Sequence, residues 1–457
     1  MRRKGAKLWG FGTYAAANYE ELIDHPVEMG EFARTSFRAR GVPHDIVITG
    51  RHRADLPRLA RDLKRVCEQH MRLFGNSAPF DRYVFLVSAH GEGYGGLEHR
   101  ASTALLCSRD DLPRVGESAV GERYRTFLGL CSHEYFHAWN VKRIRPAAFS
   151  SFDLARENYT TLLWAFEGIT SYYDDLALVR AGLISTQDYL ELIGRAITSH
   201  LRTPGRKKQS VAESSFDAWI KYYRPDENSP NAGVSYYLKG SLVALCLDLL
   251  IRERTRGKKT LDDVMRALWR SHGAVNIGVE EQGIERLIEE VSGLKLRREF
   301  DAWLRSTREL PLAELLASHG VKLQLRPAES SSDRGGRISP PASVDAPRAT
   351  LGVRMRAEGK DIVLTHVLDS GAAQEAGMSA GDVIVALDGL RIGKEGLDAE
   401  LAKRRPGARM KIHAFRGDEL REFSVRLKRA ALDTCVLIEL HGTHTRHLRQ
   451  WLKGTHG

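Results

Sequence analysis

The sequence predicts an α+β protein in two parts, a long, mostly helical domain followed by a small β-rich one. Three observations carry this expectation. From about residue 122 to 320 apolar residues recur at helical spacing, giving helices at 122–142, 157–182, 186–201, 235–256, 260–272, 279–291 and 296–305. Residues 325–348 (LRPAESSSDRGGRISPPASVDAPR) lose all periodicity and are rich in Pro, Ser, Gly and charge, as a linker is. Beyond them lie short strand-like runs at Leu351–Met355, Asp361–Val367, Val383–Leu387, Met410–Arg416 and Glu422–Leu427, with a helix near 395–404.

Upstream, residues 1–50 are mixed, with a strand expected at Asp45–Thr49. Residues 54–74 carry a helical apolar stripe, and Arg82–Ser88 reads as a strand followed by a Gly-rich turn, HGEGYGGLEH. The expected boundaries are therefore 1–50, 51–324, a linker at 325–348, a β-rich module at 349–430 and a basic, His-containing tail at 431–457. A chain of 457 residues readily supports this many units.

Composition excludes several classes of function. The net charge is +11, but Lys and Arg are interleaved with acids along the chain. No basic block with interleaved aromatics occurs, so no nucleic-acid partner is expected. No run of about 18 apolar residues occurs, so no membrane span is expected. The N-terminus is basic without a continuous apolar stretch, which leads to the expectation of a cytoplasmic protein. The cysteines (Cys67, Cys107, Cys131, Cys246 and Cys435) are scattered and never in a CxxC pair, which argues against a disulfide framework and against a cysteine zinc site.

The chemistry concentrates in His133-Glu134-Tyr135-Phe136-His137. Residues i and i+4 of a helix share a face, so both imidazoles reach one ion. A catalytic zinc takes three protein ligands and keeps one position for water, whose pKa it lowers to about 7. Glu134 follows the first His and is placed to take that water's proton. The surrounding helix is strongly apolar, and a buried helix rarely carries two His and a Glu without satisfying them. A second acidic residue, Glu167, sits inside an aromatic run, Trp164-Ala165-Phe166-Glu167-Gly168, where it has to be paired or ligating. Gly95-Gly96-Leu97-Glu98-His99 follows a strand, as an edge-strand platform for a substrate would.

Taken together, GYGGLEHRAST, CSHEYFHAWNVKRIRP, ENYTTLLWAFEGITSYYDDL and NAGVSYYLKG resemble the M61 family of glycyl aminopeptidases with a PDZ domain attached. The resemblance runs from about Asn18 to at least Leu427. It implies a thermolysin-like catalytic domain akin to that of the M1 aminopeptidases, one Zn2+ per chain, and release of N-terminal Gly or Ala from peptides by attack of a zinc-bound water. Carried over residue by residue, it makes His133, His137 and Glu167 the metal ligands and Glu134 the general base. Tyr237 matches the tyrosine of a Y-x-K-G motif that donates to the oxyanion, with Tyr236 as the alternative if the helix register differs. Glu98, with Gly95 and Gly96, matches the strand that grips the substrate's free amine, although His99 stands where the M1 pattern has Asn. Ser171 and Asp174, at i+4 and i+7 from Glu167, are candidates to orient a ligating imidazole. Relatives carry a β-rich domain ahead of the catalytic one, and residues 1–50 look like its last piece.

Ser370-Gly371-Ala372-Ala373 and Ala380-Gly381-Asp382-Val383-Ile384 give the β-rich module its likeness to a PDZ domain. There Leu351, Gly352 and Val353 match the loop whose N–H groups receive a peptide's C-terminal carboxylate. Two rival readings stay open: a zinc endopeptidase, and a PDZ scaffold with an inactive catalytic domain. His441, His444 and His447 also have helical spacing, in a polar tail that offers them no acidic company.

Overall fold

The computed structural model describes residues 2–151, 153–338, 347–359, 361–440 and 445–454. It contains two hydrophobic cores, one drawing on residues from Ala39 to Leu452 and one confined to Ala349–Leu427.

A five-stranded sheet carries the platform side of the larger domain. Its strands are β1 (Ala33–Ala39), β2 (Val42–Thr49), β3 (Tyr83–His90), β4 (Tyr94–Glu98) and β5 (Ser102–Ser108), in the order β1-β2-β3-β5-β4. The central pairs β2–β3 and β3–β5 are parallel, while β1 and β4 pair antiparallel at the edges. Parallel strands are covered on both faces, which accounts for the unbroken apolar run Ile46-Val47-Ile48. Helix α1 (Leu56–Leu73) supplies the crossover from β2 to β3. It starts at Asp55, whose carboxylate accepts from Arg58 N, and it buries Leu59, Leu63, Val66 and Met71. Residues 33–49 are thus part of this sheet, and the expectation that 1–50 is a remnant of a separate domain is corrected for them. Ala39, Ile46 and Ile48 lie in the main core.

The helical half departs from 3.6-residue periodicity where the site is built. Helix α2 (Glu122–Phe136) stops six residues short of its expected end: His137 caps it with its N–H still bonded to His133 O, and the chain beyond turns away through Val141, whose φ is 101°. The helix expected over 157–182 begins as a π-helical turn, Trp164–Gly168, and continues as α3 (Ile169–Arg180). Next come α4 (Thr186–Leu201), capped by a Ser185/Asp188 box, and α5 (Tyr236–Arg254), capped by Ser235. Among the described residues, one helical stretch, Ser229–Arg254, is long and apolar enough to cross a membrane by length and composition, against the expectation of none. Of that window 78% is buried inside the protein, as in a core helix.

Two other segments differ from their expected roles. Within the expected linker, β6 (Val321–Arg326) ends and Gly336 N bonds to Cys435 O, while Arg326 pairs with Asp333. The partner of β6 is β12 (Thr434–Glu439), in the expected tail, with all six residues in antiparallel register. Helix α7 (Thr445–Lys453) follows and buries Leu448, Trp451 and Leu452 in the main core, where Trp451 Nε1 donates to Tyr172 OH at 2.8 Å. Of the tail histidines, His441 and His444 lie outside the described residues, and His447 faces His319 and Ser318 O. Between β6 and β12 stands the small domain, with β7 (Val353–Glu358), β8 (Asp361–Val367), β9 (Val383–Leu387), α6 (Lys394–Lys403), β10 (Arg409–Arg416) and β11 (Glu419–Arg426). Its sheet order is β7-β8-β9-β10-β11, so among the described residues no strand pairs with the outer edge of β7, beside the Leu351–Val353 loop. All five cysteines are buried and free.

Candidate metal centre

His133 and His137 occupy the last turn of α2 with ring centroids 4.6 Å apart. Glu167 comes from the π-helical turn, and its Oε2 lies 3.3 Å from His133 Nε2 and 3.2 Å from His137 Nε2. The three ligand atoms all fall within 4.8 Å of one another. Both imidazoles have their other nitrogen committed: His133 Nδ1 donates to Asp174 Oδ2 at 3.0 Å, and His137 Nδ1 donates to Asn140 O at 2.8 Å. These bonds fix the tautomers so that both Nε2 lone pairs face the carboxylate. Two nitrogens and one oxygen, held this way on two helices, fit the three-ligand set of a catalytic zinc. Asp174, rather than Ser171, is the residue that holds the imidazole.

The electrostatics agree with that donor set. Burial alone would lower the His133 and His137 imidazoles, yet Asp174 and Glu167 hold His133 well above its ordinary range, and Glu167 raises His137. Burial would raise Glu167, but the charges and hydrogen bonds of the two imidazoles keep it well below the usual carboxylate range. The pocket thus has a strong preference for positive charge at its centre.

Supporting residues come from places that motif reading passes over. Asn140 Nδ2 donates to the carbonyls of Ala165 and Phe166 and to Thr170 Oγ1, which pins the π-helical turn against the end of α2. π-turns re-aim a side chain by one extra residue, and here the residue re-aimed is Glu167. Behind α2, Ser132 Oγ donates to Asp174 O, so His70 Nε2–H must donate to Ser132 Oγ at 2.8 Å. In the sequence His70 is only a histidine within the helical stretch 54–74, and its burial against Ser132 appears in the structure alone.

Glu134 turns toward the edge strand β4. A Cβ built on Gly96 would fall 2.2 Å from Glu134 Oε1, so glycine is required for the strand to pass over the carboxylate. Glu134 Oε2 is buried and, among the described residues, has no hydrogen-bond partner. Burial pushes this carboxyl up to about 7, opposed by the His137 and His133 charges and reinforced by Glu98 and Glu167. Glu98 ends β4 half-buried, within electrostatic reach of Glu134 and His137. Gly95 lies on the same strand, one residue before Gly96, and among the described residues no strand pairs with the outer edge of β4. His99 is buried beside Asp24, which also pairs with Lys142 and accepts from Arg100 N.

Tyr237 closes the site from α5. Its ring stacks toward that of His133 with centroids 6.3 Å apart and planes inclined by 29°, and its hydroxyl is 3.0 Å from Tyr223 OH. Burial, then the charge of Glu167, raises its phenol far above the ordinary value, so it remains a proton donor. Tyr236, fully buried, stacks on Tyr237 and donates to the same Tyr223 OH, while the ring contact with the His133 imidazole is made by Tyr237. In the small domain Leu351 is buried, Gly352 takes φ +74°, and a Cβ there would meet Gly371 Cα at 2.7 Å.

A family model for M61 glycyl aminopeptidases matches residues 126–243, and a PDZ-domain model matches residues 349–427. Among solved structures, an aminopeptidase N family protein from Idiomarina loihiensis is 39% identical, covering 99% of this chain and 76% of that one with a TM-score of 0.95. An M1 zinc metallopeptidase from Deinococcus radiodurans is 15% identical, covering 62% of this chain and 53% of that one with a TM-score of 0.41. No curated protein matches the sequence.

Proposed function

The chain belongs to the M61 family of glycyl aminopeptidases and carries a PDZ domain, and from this membership and the geometry of its site we propose that it is a zinc aminopeptidase removing N-terminal Gly or Ala from peptides. The observation that carries the proposal is the approach of His133 Nε2 and His137 Nε2 to one Glu167 oxygen, with both Nδ1 atoms already bonded elsewhere.

Zinc held there supplies Lewis acidity and brings a water to a pKa of about 7. The chain's own residues do the rest. Glu134, whose buried Oε2 has no hydrogen-bond partner among the described residues, takes the proton of the attacking water and passes it to the leaving amine. Tyr237 donates its hydroxyl proton in a hydrogen bond to the oxyanion, where charge develops. Glu98 receives the substrate's ammonium, so the scissile bond is counted from the N-terminus. The free edge of β4 accepts the peptide as a further strand, and Gly95 and Gly96 let it lie close to Glu134. The Leu351–Val353 loop of the PDZ domain is suited to a peptide C-terminus.

The test is hydrolysis of glycyl and alanyl anilides by zinc-loaded protein, beside their N-acetylated forms and beside Glu134→Gln. Cleavage of the free-amine substrates alone, lost in Glu134→Gln with zinc retained, is expected. Equal cleavage of the blocked substrates would make the protein an endopeptidase, and equal rates in Glu134→Gln would remove that residue as the base.

A further inference from the structure

Asn231 is 3% exposed and is bonded to the PDZ domain. Its Nδ2 donates to Val367 O at 2.9 Å, and its Oδ1 accepts from Asp369 N at 2.9 Å. A buried amide matched on both sides to the backbone of one turn is a specific clasp, because losing it takes the partner from two backbone groups of that turn, Val367 O and Asp369 N. Lys208 holds the same turn through Asp369.

Both ends of the clasp lead somewhere. On the PDZ side, Leu368 N donates to Gly352 O and Ala373 N to Leu351 O, each at 2.9 Å, so the clasped turn also anchors the carboxylate loop. On the catalytic side, Asn231 lies in the short helix Ser229–Ala232, and only Gly233, Val234 and Ser235 separate that helix from α5. That connection has no slack. Val234 N bonds to Gln209 Oε1, Ser214 donates to Val234 O, and a Cβ on Gly205 would strike Gly233 O at 2.1 Å. Ser235 then caps α5, accepting from Leu238 N, and the first turn of α5 carries Tyr237.

We propose that Asn231 is a positioning residue for Tyr237, so that the PDZ domain, held through its Val367–Asp369 turn, buttresses the oxyanion side of the active site. The proposal rests on Tyr237 being the oxyanion donor. A rigid connection of a few residues transmits a displacement of the clasp directly to the start of α5, and misplacement by about 1 Å costs on the order of 10²-fold in rate.

The test is a double-mutant cycle in the full chain with Asn231→Ala and Tyr237→Phe, reading kcat, KM for a glycyl anilide and zinc content. Asn231→Ala is expected to lower kcat by about tenfold or more with KM and zinc content nearly unchanged, and to have almost no further effect in the Tyr237→Phe background. If the two losses multiply in full, or if Asn231→Ala leaves kcat intact, the proposal is overturned while the Tyr237 reading stands. If Tyr237→Phe alone keeps wild-type kcat, the Tyr237 reading fails and this inference with it. Should Asn231→Ala fail to fold, the isosteric Asn231→Asp, which keeps the acceptor for Asp369 N but loses the donor to Val367 O, is read by the same criteria.

Discussion

Gly168 and Gly240 touch. A Cβ built on Gly168 would lie 2.5 Å from Gly240 Cα, and one on Gly240 would lie 2.7 Å from Trp164 O and 2.9 Å from Gly168 Cα. The helix that carries Tyr237 therefore crosses the turn that carries Glu167 backbone against backbone, and the Gly of Tyr237-Leu238-Lys239-Gly240 is the residue that allows it.

Gly240→Ala is expected to cost about 3 kcal/mol of stability, since backbone atoms on both sides cannot yield as a side-chain tip does. It should also push Glu167 off the two imidazoles. Urea unfolding and zinc affinity by chelator competition check the two effects, and a variant as stable as wild type with unchanged zinc affinity would contradict the close crossing.

Asp174→Ala removes the acceptor of His133 Nδ1–H while leaving the backbone carbonyl that Ser132 uses. Zinc affinity is expected to fall roughly 10- to 100-fold. Glu134→Gln, which touches no ligand nitrogen, should keep its zinc under the same competition.

Gly96→Ala places a methyl group where the Glu134 carboxylate now lies. Glu134 has to swing aside, so kcat is expected to drop by on the order of 10²-fold with stoichiometric zinc retained. Metal analysis beside the kinetics separates this from loss of the ion.

The protein is expected to lose stability in mild acid. His44, His70 and His200 are buried, and burial brings their imidazoles down to about 4, about 3 and about 3. Their folded values lie below the unfolded value of about 6.5, so the unfolded chain binds protons that the folded one refuses. The stability they support is full above about pH 6.5 and declines as pH falls toward their folded values. Each contributes a slope of about 1.4 kcal/mol per pH unit in that window. Unfolding free energy measured from pH 7 to 4.5 shows the slope, and His200→Gln should reduce it by about one proton without changing zinc content.

The candidate metal site was legible because it is chemistry written in few residues: HEYFH on an apolar helix, and a Glu lodged among aromatics. What escaped the sequence depended on partners far along the chain. Val321–Arg326 alternates apolar and polar residues, but it is a lone short run beside helical sequence, and it pairs with residues 434–439, across more than a hundred positions. The π-helical turn at Trp164–Gly168 was hidden because periodicity reading assumes a constant 3.6 residues per turn. Asn140 and Asn231 look like ordinary polar residues in loops until the carbonyls they bond are known. The final helix did carry a signal, Leu448, Trp451 and Leu452 at one-turn spacing, which the basic residues around it obscured.

The pairing of β6 with β12 also governs the order in which the molecule can be completed. The main core needs Cys435, Leu437, Leu448, Trp451 and Leu452, all made after the PDZ domain. During synthesis the catalytic domain waits, with one strand unpaired and part of its interior open, until the whole PDZ domain has emerged. A shortened protein ending near residue 325 would keep every metal ligand yet lack the last wall of its core. Removing the PDZ domain cleanly requires rejoining residue 326 to residue 434, so that the excised piece leaves as a loop and not as an end.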